Sequence, residues 1–135
     1  MDPVTEEVMR EDFARVVELN RQIRDGAGPD IGHNVEYGRR LAAGERNAFV
    51  KAWTSSPHAD RWDVLRGAHT AFELVPEAMV TLHGDIESGR DSHGLDAVDQ
   101  RSVRQAGELH GRNNPDLRQA LIAAGRRRAP VERSR

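Results

Sequence analysis

Cysteine is absent from this 135-residue chain, which removes disulfide frameworks, thiolate metal sites and cysteine nucleophiles together. Aromatic side chains are scarce: two Trp, one Tyr and three Phe. With 37% apolar residues, many of them alanine, the core is thin, and a thin core invites completion by a partner, so self-association, most simply a dimer, is one expectation. No apolar run approaches the ~20 residues of a membrane-spanning helix. The stretch Met1-Asp2-Pro3-Val4-Thr5-Glu6-Glu7 is acidic and lacks the basic-then-apolar order of a signal peptide. A cytoplasmic protein with no membrane role is the expectation. Lysine is nearly missing, Lys51 standing against nineteen arginines. Guanidinium groups suit bidentate phosphate or carboxylate recognition, but the bias runs through acidic helices too and is put down to a GC-rich coding genome.

What is present is an uneven distribution of charge. From His69 to Asp99 there are seven carboxylates (Glu73, Glu77, Asp85, Glu87, Asp91, Asp96, Asp99) against Arg90 alone. From Gln100 onward nine arginines stand against Glu108, Asp116 and Glu132. A chain with a formal net charge of −2 thus carries an acidic stretch followed directly by a basic one. Either the basic end has an anionic partner or the two stretches neutralise each other within the fold.

Apolar spacing is helical almost throughout, with no period-two strand. A first helix is expected from about Pro3 to Arg24 on the stripe Val8, Met9, Phe13, Val16, Val17 and Ile23, ended by the glycine-rich run Asp25 to Gly32. His33 or Asn34 opens a second, carrying Val35, Leu41, Ala48, Phe49, Ala52 and Trp53. Ser56-Pro57 reads as a capping hydroxyl before proline at the first helical position, opening a third helix with Trp62, Leu65, Ala68, Phe72 and Val75. Pro76 is expected to kink that helix, since the register continues through Met79, Leu82 and Ile86. Gly84 to Gly94 reads as a solvated acidic loop. A fourth helix follows from about Leu95 to His110, and Asn114-Pro115 opens a fifth. The expected fold is all-α, a bundle of four or five helices over residues 1–125, with a flexible, disordered Arg-rich tail over 126–135.

Helix four, the turn Gly111-Arg112-Asn113-Asn114 and helix five share the outline of a DNA-binding helix-turn-helix. In that reading Arg118 and Gln119 lie near base edges, while Arg112, Arg126, Arg127 and Arg128 contact phosphates and Arg101 and Arg104 join them. A plain helical hairpin has the same outline, and Asp116 sits where phosphate would be repelled. No aromatic is interleaved with the arginines, which argues against a stacking platform for single strands.

The six histidines, at positions 33, 58, 69, 83, 93 and 110, show no i, i+3 or i, i+4 pair. The zinc-protease and di-iron patterns are missing. His69 and His83, about 20 Å apart along a continuous helix, read as a partly buried and a boundary histidine. The Asp85–His93 run lacks the ligand spacing of a calcium loop. The Gly26–Gly32 run lacks both nucleotide-binding fingerprints, and Ser55, Ser56 and His58 form no nucleophile elbow. No catalytic residue, metal site or cofactor is expected.

The leading expectation is therefore a non-enzymatic binding protein, a regulator or accessory factor contacting nucleic acid through Arg101, Arg104, Arg112, Arg118, Gln119, Arg126, Arg127 and Arg128. The alternative is a protein–protein interaction module or homo-oligomer docking through an apolar face of Phe13, Phe49, Trp53, Trp62 and Phe72. A metal-dependent enzyme built from scattered His, Asp and Glu is the third.

Overall fold

The computed structural model describes residues 1–26 and 34–131, with side chains through Arg126. Most of the run expected to end the first helix, His33 as a helix opener, and the last four residues of the expected tail lie outside the described residues. The described residues are all-α and form six helices, α1 (Pro3–Asp25), α2 (Val35–Thr54), α3 (Ala59–Leu74), α4 (Pro76–Glu87), α5 (Ala97–Gly111) and α6 (Pro115–Val131). No described helix is long and apolar enough to cross a membrane.

Helix boundaries follow local chemistry. Asp2 accepts the Thr5 N–H at 2.8 Å, with Pro3 in the first turn. Gly26, at φ +68°, closes α1 by donating its N–H to the Gln22 carbonyl; this left-handed stop suits glycine, which has no Cβ to clash. Asn34 Oδ1 takes the Tyr37 N–H at 2.9 Å, Asp96 caps α5 through the Asp99 N–H, and Asn114 caps α6 through the Leu117 N–H. Each satisfies one of the amides that a helix start leaves without a partner.

Three sequence expectations need correction. Ser56-Pro57 forms the turn between α2 and α3 instead of the first helical residues: Ser56 Oγ accepts the His58 N–H and donates to the Trp53 carbonyl, and α3 starts at Ala59. Pro76 splits the expected long helix instead of kinking it. The ring disfavours helical conformation at the preceding residue, and Val75 sits at φ −137°, ψ 63° with Pro76 at the start of α4. The described residues therefore form six helices, not four or five. Finally, the helical backbone continues past Gly125 to Val131, so residues 126–131 extend α6 instead of forming a tail.

Contacts divide the chain into two compact units, residues 1–62 and 63–135. In the first, α1 packs along α2. Trp53 and Trp62 stack in parallel at 5.8 Å, and Phe13 meets Trp62 edge-on at 5.3 Å. The Trp53 indole N–H reaches Asp12 at 2.8 Å, so this buried donor is satisfied by α1. In the second unit the core is Ala68, Phe72, Met79, Ile86, Val103, Ala106, Leu117 and Leu121. Here α4 packs chiefly on α6, and α5 against both.

The α4–α6 approach rests on small residues. A Cβ added to Gly84 would lie 2.9 Å from Ala124 Cβ and 3.2 Å from the Ala124 backbone, closer than packed atoms tolerate. Gly84→Ala is therefore expected to cost about 1–2 kcal/mol net, overpacking outweighing the gain in helix propensity. Gly44→Ala, with nothing within 4 Å of the new methyl, is expected to gain up to about 1 kcal/mol. Urea unfolding followed by circular dichroism checks both signs.

Candidate functional site

An open cleft of about 640 Å³ lies in the second unit between α4, α5 and α6. His83 and Glu87 line it from α4, one helical turn apart. Gly107, Glu108 and Gly111 face it from the C-terminal half of α5, and Arg112 from the position that caps that helix. From α6 come Arg118, Leu121, Ile122, Gly125 and Arg126, whose i, i+3, i+4, i+7, i+8 spacing is one face of a helix. Its glycines sit at close contacts between the helices. A Cβ on Gly107 would meet Phe72, Leu121 and His83 at 3.1, 3.3 and 3.5 Å, and one on Gly125 would lie 3.6 Å from Glu87 Cβ.

The cleft is cationic. Arg112, Arg118 and Arg126 are exposed and close no ion pair among the described residues. Elsewhere arginines are paired within the fold: Arg10 with Glu6, Arg15 with Glu45, Arg21 with Glu18, Arg66 with Asp63. Of the two carboxylates in the lining, Glu87 is held by Arg104. Glu108 lies exposed one turn before Arg112 without bridging to it. His83 is 9% exposed and its Nδ1 has no hydrogen-bond partner. Burial holds this imidazole below the ordinary histidine range, with Arg104 adding to the effect and Glu87 and Glu108 opposing it. A neutral ring supplies a hydrogen bond and no charge.

The expected nucleic-acid residues thus separate. Arg112, Arg118 and Arg126 converge on the cleft. Gln119 is exposed beside Arg118. Arg101 is exposed on α5 and engaged in an interaction of its own, and Arg104 is tied to Glu87. Arg127 and Arg128 belong to the α6 backbone, and their side chains lie outside the described residues. The expected docking face is not a free surface: Phe13, Trp53, Trp62 and Phe72 are buried, at 3, 8, 1 and 2% exposure, and Phe49 is half-buried. A thin core recruits its few large rings inward, since they bring the most apolar area per residue.

Two further groupings were not legible from spacing. The Asp85–His93 segment is not a solvated loop at its start: α4 runs to Glu87, and Asp85 is buried at 8% exposure. Asp85, Asp91 and His93 bring one donor atom each within 4.8 Å of one another, with His93 Nε2 at 2.8 Å from Asp85 Oδ2. The Arg90 N–H also bonds the Asp85 carbonyl. These contacts fold the segment back on the end of α4, a structural staple that gives a buried carboxylate a partner. His69 on α3 stacks on His110 of α5, ring centroids 4.1 Å apart, and the His110 Nε2–H donates to the His69 carbonyl at 2.7 Å. These residues are 41 positions apart in sequence, so no local spacing rule pairs them.

A scan against protein-family models finds no match, and neither a curated protein nor a solved structure matches the chain.

The histidine pair makes a pH prediction. Burial, reinforced by His110 and opposed by Glu73, lowers the His69 value from 6.5 to about 4. The unfolded chain takes the proton first, so this contribution is complete above about 6.5 and is lost as pH falls toward 4. Urea midpoints at pH 7, 5.5 and 4.5 are expected to drop progressively, and His69→Gln to flatten the drop. An equal drop in the variant assigns the loss to other groups.

Proposed function

We propose that the chain is a non-enzymatic binding protein that contacts nucleic acid through the exposed arginines of α5 and α6. The observation that carries this reading is the convergence of Arg112, Arg118 and Arg126, from two helices, on one side of the second unit with no carboxylate partner among the described residues. Guanidinium groups left unpaired where most of the other described arginines are ion-paired are available for phosphate. Arg118 and Gln119 sit in the first half of α6, exposed and adjacent, where a recognition helix carries its base-reading residues. Arg118 and Arg126 lie about 12 Å apart along the helix axis, so both can engage the backbone of one duplex.

Affinity built on these three contacts falls with salt through counterion release. The expected slope of log affinity against log salt is about −2.7, a loss of roughly 40-fold between about 50 and 200 mM. Fluorescence anisotropy with labelled duplex DNA and RNA measures it. Arg118→Ala with Arg126→Ala is expected to reduce the slope to about −0.9 while the circular dichroism spectrum stays unchanged. No binding at the lower salt, or binding indifferent to the double substitution, overturns the reading and returns the arginines to a protein partner.

A further inference from the structure

We infer that the cleft between α4, α5 and α6 is a binding site for a small amphipathic anion, a phosphate or carboxylate carried on a flat aromatic body. Its volume, about 640 Å³, falls within the range typical of small-molecule pockets, and its lining follows their usual plan of apolar walls with a few placed polar groups. Gly107 is closed over by Phe72, Leu121 and His83, and Gly111 by Arg118, so Gly125 is the lining glycine against whose backbone a planar group can lie. Leu121 and Ile122 complete the apolar part, and Ile122 remains 42% exposed.

The charge sits at one end. A Cβ on Gly111 would lie 3.4 Å from Arg118 Cβ, so the last turn of α5 and the first turns of α6 are in contact there. That contact puts Arg112 beside Arg118, two guanidiniums that can share one anionic head. Arg126 lies two turns further along, over the apolar part. With Glu87 held by Arg104, the lining carries three available cations against Glu108, which favours an anion.

His83 is the independent observation. Its side chain lines the cleft and is nine-tenths buried, and Nδ1 finds no partner in the fold. Leaving a buried polar atom unsatisfied is costly, because the hydrogen bond it makes with water in the unfolded chain is not replaced. A half-turn of the ring exchanges Nδ1 with Cδ2, the edge that faces Gly107 across 3.5 Å to a would-be Cβ. A ligand in the cleft that reaches His83 can supply the missing hydrogen bond.

This site stands without the nucleic-acid reading but shares its arginines, so where both hold, the small anion displaces the polymer. The test uses the protein alone. Amide nitrogen–proton spectra of the full chain are titrated with 1-naphthyl phosphate, and separately with inorganic phosphate and with 1-naphthol. Saturable shifts are expected at the Gly107, Gly111 and Gly125 amides, with naphthyl phosphate binding roughly tenfold or more tighter than either control. Gly125→Leu, which fills the floor, is expected to abolish binding. Arg118→Glu with Arg126→Glu, at exposed positions that keep the fold, is expected to weaken it by roughly tenfold or more.

Absence of saturable shifts overturns the inference. So does inorganic phosphate matching the aryl phosphate, which reduces the site to a cationic patch, or naphthol matching it, which reduces it to an apolar crevice. Undiminished binding by a folded Gly125→Leu protein also overturns it. Should that variant fail to fold, the exposed double-glutamate variant decides. A negative duplex titration leaves these outcomes untouched, so the two readings fail separately.

Discussion

Helices α4 and α6 meet at Gly84 and Ala124 with no room between them for one further carbon atom, and the second unit is arranged around that contact. Close approach brings Met79 and Ile86 on α4 into the same core as Leu117 and Leu121 on α6, with Val103 and Ala106 of α5 completing it. Small-residue contacts bury little apolar area themselves, so they stabilise indirectly, by letting larger side chains on either side interlock. The same economy of side chains has a second consequence a turn away. Gly107 and Gly111 let side chains of the neighbouring helices close in, and beside Gly125 the cleft stays open. Tight packing at one level and an open site at the next are two results of one composition.

Charge follows a comparable division. Arg104 with Glu87 joins the basic third of the chain to its acidic stretch, and a partly exposed pair of this kind contributes under about 1 kcal/mol. Within the acidic stretch, Asp85 is met by His93. In the first unit the pairs are mostly local, along α1 or between α1 and α2. Arg112, Arg118 and Arg126 join none of these arrangements. Mutual neutralisation of the two stretches, one of the two readings of the charge asymmetry, therefore leaves these three positions out.

What the sequence made legible was mostly what is local. Asn34, Asn114-Pro115 and the glycine after α1 mark helix ends through contacts three or four residues long, and the structure uses them as such. Class and most helix positions follow from periodicity for the same reason. The split at Pro76 was visible as a proline but not as a break, because the apolar register on both sides continues and the hydrogen bonds nearly do: Val75 still donates to Ala71, and Met79 to Val75. The cleft was hidden by a misread sign. Glycine inside a helix costs stability on its own, so Gly84 read as loop, Gly111 as part of a turn, and Gly107 passed unremarked. Their four-residue spacing on α5 was the available signal, since a helical glycine with no local purpose usually has a packing one. The aromatic residues misled for the opposite reason: large rings suit interfaces, but a chain with six of them needs them inside.

The location of the candidate site follows from how the two cores are built. The first unit is held by rings, Phe13, Trp53 and Trp62 in mutual contact, and rings fill the space they define. The second unit has Phe72 and otherwise aliphatic and small residues, so its helices can leave a void without losing their contacts. Burial then determines the character of that void. It holds His83 below its ordinary range, so the positive charge of the cleft comes from guanidinium groups alone. His69 meanwhile ties the stability of the same unit to neutral conditions. Acid therefore weakens the scaffold without adding imidazolium charge at His83 until the pH lies below the ordinary histidine range, and the attraction for anions is set by Arg112, Arg118 and Arg126.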